Sequence, residues 1–232
     1  MVVFVLLDLC CSYALSYYHV NRQIAYIFIN VRYVHVFKTI NTFFYSVVDE
    51  ARNTKKILRL SDWYEHAGDI VEDDNFDGLV RGMVTQPEKN TDHNYDDEIK
   101  SYFGRFGKSY GDDLFTTDIH RNRYHGLASY NSYREYCGLS KATSFDGFAD
   151  LIAREDVDKL KLLYASHEDV DLFIGGSLET HVDNALAGPT FLCIITEQFL
   201  RSRKGDRFFY ENGSNKQTSF SPGINFFFVY II

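Results

Sequence analysis

The segment 188–205, "GPTFLCIITEQFLRSRKG", constrains the fold more than any other part of the chain. Pro189 suits the first turn of a helix, where its missing N–H would have had no intrahelical acceptor in any case. Phe191, Ile194, Ile195, Gln198 and Phe199 then recur at three- and four-residue steps, with Arg201, Arg203 and Lys204 near the end and Gly205 as the stop. The pattern predicts a core helix with Phe191, Ile195 and Phe199 buried and with Arg203 and Lys204 in solvent.

The rest of the chain points the same way. Only three prolines interrupt 232 residues, which favours helices and leaves room for one large domain or two small ones. Ser129 can cap "YNSYREYC" with Gly138 beyond its end. Asp156 can cap "VDKLKLLYAS", where Val157, Leu160, Leu163 and Tyr164 share a face. "DNFDGLVRGMVT" and "YDDEIKSYFGR" read as two further helices, separated by the polar loop "QPEKNTDH". The segment 20–48 is rich in β-branched and aromatic residues, yet its apolar run is too long for one buried strand, so it reads as a buried helix. On that helix Arg32 and His35 fall on one face. Taken alone, His35 reads as a core histidine bonded to a carbonyl. The fold class is mainly α.

Charge and cysteine usage exclude other classes. A formal net charge of −8 argues against a nucleic-acid partner, although "RNRYH" is locally basic and aromatic. Cys10, Cys11, Cys137 and Cys193 form no C-x-x-C pair or Cys/His ligand spacing, which argues against structural zinc. Cys137 and Cys193 permit one long-loop disulfide in an oxidising compartment and equally fit two buried thiols. The N-terminal "MVVFVLLDLCCSYALSYY" is apolar but lacks a basic start and contains Asp8, so it half resembles a signal peptide. Asn212-Gly213-Ser214 is a glycosylation sequon, consistent with an extracellular, secreted chain. The apolar "INFFFVYII" falls far short of the roughly 20 residues needed to span a bilayer.

The stretch 113–139, "DLFTTDIHRNRYHGLASYNSYREYCGL", carries most of the functional information. It resembles the signature of the animal haem peroxidases, D-L-x-x-x-N-I-Q-R-G-R-D-H-G-L-P-x-Y-N, followed by a helix ending F-C-G-L. Asp113, Leu114, Ile119, Arg121, Arg123, His125, Gly126, Leu127, Tyr130, Asn131, Cys137, Gly138 and Leu139 match in register. "DGLVRGMVTQP", "DVDLFIGGSLE" and "GPTFLCIITEQFLRSRKGDRFFYEN" are similar to further family motifs in the same order, and "VRYVH" looks like F-R-(F/Y)-G-H. The similarity is dense over 70–212. It divides the chain into a poorly matched segment 1–22 (a degenerate signal peptide in this reading), a C-terminal part of a peroxidase domain over 23–212, and an unmatched tail 213–232.

The resemblance implies haem b with iron ligated on its proximal side by His35, which lies 83 positions before Asp118. Asp118 stands where the family has the asparagine that accepts a hydrogen bond from the proximal imidazole, a partner that tunes the metal through its ligand. Arg32 and Arg121 look like partners for haem propionates, a task suited to planar cations with paired donors. Cys137 and Cys193 match family cysteines that pair with one another. The implied activity is oxidation of small reducing substrates by hydrogen peroxide, with no nucleic acid and no membrane span.

Several positions depart from the pattern. His120 replaces glutamine, Asn122 glycine, Tyr124 aspartate and Val34 the glycine beside the ligand, and Ile27, Phe28, Ile29 and Val31 are bulky where the family is small, so a crowded pocket is expected. Nothing before His35 resembles the D-H-D motif. The resemblance therefore places the distal catalytic histidine and arginine, and the family's calcium site, outside this chain, leaving no distal catalytic residue and a helical fold made of the proximal-side helices only. The competing reading is a catalytically silent helical scaffold or matrix-binding module that keeps the family's framework.

Overall fold

The computed structural model describes residues 44–63, 68, 71–72, 74–85, 92–209 and 211. The chain divides into two compact units, residues 29–192 and residues 1–28 with 193–232. In order, the described elements are β1 (Phe44–Val48), β2 (Thr54–Arg59), α1 (Asn75–Thr85), α2 (Asp97–Lys100), α3 (Leu114–Tyr124), α4 (Tyr130–Tyr136), α5 (Arg154–Leu163), α6 (Leu172–Leu178) and α7 (Pro189–Gly205). Short 3-10 segments lie at Leu60–Asp62, Phe145–Asp150 and His167–Asp169. Among the described residues the architecture is mainly helical, as the sequence predicts.

The end of the segment read as a buried helix is instead a strand. β1 pairs antiparallel with β2, Phe44 opposite Arg59 and Val47 opposite Lys56, with an irregularity between Val47 and Val48. The turn is closed by Asp49, whose Oδ1 accepts from the Asn53 amide at 2.8 Å, and by Arg52 in the left-handed region at φ 68°. Val47 and Val48 are buried, and a Cβ on Gly82 of α1 would fall 1.8 Å from the Ser46 carbonyl oxygen. That close approach explains why a helix-disfavouring glycine stands in α1.

"YDDEIKSYFGR" was expected to be one helix, and only its first turn is helical. Asp96 caps α2 by accepting from the Glu98 amide at 3.0 Å. The chain then doubles back, with Gly111 N–H bonded to the Ser101 carbonyl and Asp112 N–H to the Phe103 carbonyl, both at 2.8 Å. Three successive glycine-containing steps over 104–111 are better met by a closed loop than by a helix.

α5 begins two residues before the predicted cap. Its N-cap is Ala153, which makes no side-chain cap bond, and Asp156 sits inside the first turn, accepting from Lys159 Nζ at 2.7 Å. Starting at Arg154 turns Val157 and Leu160 fully inward, whereas Leu163, expected on the same face, is 76% exposed. Tyr164 takes over that role at an extended C-cap, where its ring joins the core.

The main core is built from Tyr130, Ala142, Phe148, Ile152, Val157, Leu160 and Val170, with Phe145, Tyr164, Ile174 and Leu178 packed around it. Each such large apolar side chain contributes roughly 1.5–3 kcal/mol on full burial. A smaller cluster of Ile99 and Leu114, flanked by Leu60, Tyr95 and Phe103, joins α2 to the start of α3. On α7 the buried positions are Thr190, Phe191, Ile194 and Gln198, while Ile195, expected in the core, is only partly buried and Phe199, also expected there, is 41% exposed. Arg203 and Lys204 are exposed as predicted.

Candidate functional site

α3 is the helix at the centre of the candidate site. Asp113 caps it, Oδ1 accepting from the Thr116 amide at 3.0 Å and Oδ2 from the Thr116 hydroxyl at 2.8 Å. Its buried residues are Leu114, Asp118 and Asn122, one stripe at four-residue spacing. Two of the three are polar, so the stripe is not merely a packing face.

Asp118 is buried, and its Oδ1 accepts from Arg121 Nη1 at 3.0 Å. Burial pushes this carboxyl above the usual carboxylate range, and Arg121 opposes that only in part. Among the described residues Oδ2 has no hydrogen-bond partner. Arg121 is half exposed, at 49% of its side-chain surface, and spends one of its five donors on Asp118. Tyr95, whose phenol burial drives far up and Asp118 raises further, packs its ring 4.5 Å from Phe115, which lies 5.3 Å from the Phe173 ring.

Neighbouring groups hold α3 in place. Asn122 Oδ1 accepts from the Phe173 amide at 3.3 Å. Arg123 grips Asp171 through Nε (3.0 Å to Oδ1) and Nη2 (2.7 Å to Oδ2), and Tyr164 donates to the same Oδ2 at 2.8 Å. This fork-on-carboxylate geometry raises the Arg123 guanidinium. The Tyr164 phenol is pushed up to about 12, first by burial and then by its bond to Asp171.

Behind α3, Arg134 is wholly buried and donates to both oxygens of Asp150 (3.0 and 2.5 Å), to the Ser140 carbonyl and to Tyr130 Oη. Tyr130 in turn donates to Glu179 at 2.8 Å, and Glu179 also accepts from the Thr190 amide (2.9 Å) and hydroxyl (2.5 Å). Burial raises the Glu179 carboxyl, against the opposing pull of those donors. Cys137 and Cys193 are both disulfide-bonded, and Cys137 Sγ lies 3.7 Å from the Thr190 carbonyl oxygen.

Of the residues expected to serve a haem, Asp118 and Arg121 stand together, while His35 and Arg32 lie outside the described residues, as does Asn212. The replacements at 120, 122 and 124 do not crowd Asp118. Asn122 is turned to the Phe173 backbone, and His120 and Tyr124 are exposed. The bulky residues near His35 lie outside the described residues. A buried carboxylate with one oxygen uncommitted suits an imidazole N–H, and a half-exposed guanidinium beside it suits a propionate, so the donor set fits a His-ligated haem. The sequence reading missed Tyr95 and the Tyr130–Glu179–Thr190 cluster, because nothing in their spacing marks them as buried neighbours.

Comparison with known proteins identifies the class. The animal haem peroxidase profile matches residues 6–223, and the chain belongs to that family. It is 56% identical over 176 residues to a peroxidase of Drosophila melanogaster, an alignment covering 76% of this chain and 25% of the fly protein. It is 37% identical over 139 residues to peroxidasin of the same organism, covering 59% of this chain and 9% of that one. Among solved structures it is similar to peroxidase A of Dictyostelium discoideum, with a TM-score of 0.70 and 27% identity, over 82% of this chain and 36% of that one. The chain thus spans about a quarter of the length of the first of these relatives.

Proposed function

We propose that this chain supplies the proximal half of a secreted haem peroxidase that oxidises small reducing substrates with hydrogen peroxide. The observation that carries the reading is Asp118, a buried carboxylate on α3 beside Arg121 with its second oxygen uncommitted. Haem, when bound, supplies a redox-active iron that exchanges electrons between peroxide and donor. His35 would hold the haem iron, Asp118 would accept the ring N–H of His35 and fix its orientation, and Arg32 and Arg121 would hold the propionates. The Arg123–Asp171 and Asn122–Phe173 bonds keep α3 from rotating Asp118 away. The two disulfide-bonded cysteines are partners of one another, which suits an oxidising compartment, and Asn212 carries glycan.

Peroxide cleavage draws on a distal acid–base group, worth roughly 10²–10⁴ in rate, whereas haem binding tests the proximal residues directly. Binding is therefore the sharper test. Adding ferric haem to the purified chain is expected to give a Soret band that His35→Ala abolishes and His125→Ala retains. Equal spectra for wild type and His35→Ala would remove His35 as ligand, and no Soret band in either would favour the silent scaffold.

A further inference from the structure

We infer that Tyr124 is a surface site of one-electron oxidation, at which this chain becomes covalently joined to a phenol of another polypeptide. The inference rests on the peroxidase reading for its oxidant and on the geometry of α3 for its position. Tyr124 is the last residue of α3 and 79% exposed, more than Tyr110 at 72% or Tyr136 at 57%. It stands on the helix whose buried stripe holds Asp118, six residues away and thus about 9 Å along the axis at the helical rise. Two imidazoles flank it, with the ring of His120 stacked at 6.3 Å and that of His125 edge-on at 5.5 Å. The described structure gives Tyr124 no hydrogen bond that would bury or restrain its phenol.

These features match what phenol oxidation requires. Removing an electron from the ring releases the phenolic proton, which passes to solvent. Two phenoxyl radicals then join by a carbon–carbon bond between ring positions beside the oxygens, and each ring regains aromaticity by moving the displaced hydrogen to its own oxygen. The balance is two phenols and one hydrogen peroxide giving one biphenol and two waters, with hydrogen peroxide as the oxidant. Coupling needs an ortho position open to a second molecule. An exposed ring at a helix end meets that need, whereas Tyr130, buried and bonded to Glu179, does not.

The test has two arms on the full chain. In the first, light, tris(bipyridyl)ruthenium and persulfate oxidise accessible phenols without haem, and peptide mapping is expected to find the dityrosine of the resulting dimer at residue 124. In the second, the haem-loaded chain receives hydrogen peroxide, and freeze-quench electron paramagnetic resonance is expected to show a tyrosyl signal that Tyr124→Phe loses and Tyr110→Phe keeps. Success in the first arm with no radical in the second would count against the peroxidase reading and leave the coupling site standing. Dityrosine mapped to Tyr110 or Tyr136 in both arms, with dimer yield unchanged in Tyr124→Phe, overturns the proposal.

Discussion

Asp118 Oδ1 and Arg121 Nη1 lie 3.0 Å apart, one helical turn from each other on α3. The family pattern has asparagine at the first position, so this ion pair belongs to the chain's own variation. Its carboxyl is raised by burial, hence the folded state binds the proton more tightly than the unfolded state does. Any stability gained from that is present below the unfolded value of about 3.9 and is lost as pH rises through the folded value. Asp118→Asn is therefore expected to raise the melting temperature at pH 7, with the gain shrinking toward pH 4, because the half-exposed ion pair it forfeits is worth only about 0–1 kcal/mol. Thermal melts across that range check the sign. A variant less stable at pH 7 than at pH 4, relative to wild type, would contradict it.

Glu179 collects three buried donors, the Tyr130 hydroxyl and the amide and hydroxyl of Thr190. Glu179→Ala strands all three, and leaving buried donors unpaired costs about 1–3 kcal/mol for each group. A loss near 3 kcal/mol is expected in urea unfolding. Glu179→Gln keeps an acceptor for two of them and is expected to lose less than half as much.

Gly175 of α6 faces Tyr130 so closely that a Cβ would lie 2.2 Å from its Cγ. Tyr130 is fully buried and tied to Glu179, so it has nowhere to retreat. Gly175→Ala should cost about 2–3 kcal/mol as overpacking, even though alanine is the better helix former. An unchanged unfolding midpoint would mean that α6 and α4 separate more readily than their contact implies.

The two phenylalanines of α7 give a paired test. Phe191 is wholly buried and Phe199 is 41% exposed. Phe191→Ala is expected to lose roughly 3–5 kcal/mol and Phe199→Ala about 1 kcal/mol or less. Equal losses in denaturant titrations would place Phe199 in the core after all.

The helices were legible wherever a local signal coincided with a tertiary need. Ser129 accepts from the Ser132 amide at 3.3 Å as its cap role requires, and α1 and α7 begin and end close to their expected limits. The reading failed where tertiary contact chose between local options. Phe44–Val48 has a composition that suits either state until β2 pairs with it. Asp156 looks like a cap until the core calls for Val157 and Leu160 on the inward face. On α7 the i, i+4 row of 191, 195 and 199 and the row of 191, 194 and 198 are equally periodic, and only the neighbours decide between them. For the site, the motif pointed to Asp118 and Arg121, and their adjacency follows from three-residue spacing on one helix. The Tyr130–Glu179–Thr190 cluster joins three separate stretches of sequence, and no spacing rule could have linked them.

Asn131 presents its side-chain amide to the backbone of Ala142, accepting from the amide N–H at 2.8 Å and donating to the carbonyl at 2.9 Å. The side chain thereby copies both halves of a peptide group, and the strand of chain from 131 to 142 becomes a ring closed by two hydrogen bonds instead of a covalent link. A ring has a fixed circumference. Insertion or deletion of one residue between Gly138 and Lys141 would force the buried amide to release a partner away from solvent, so this loop should tolerate changes of residue far better than changes of length.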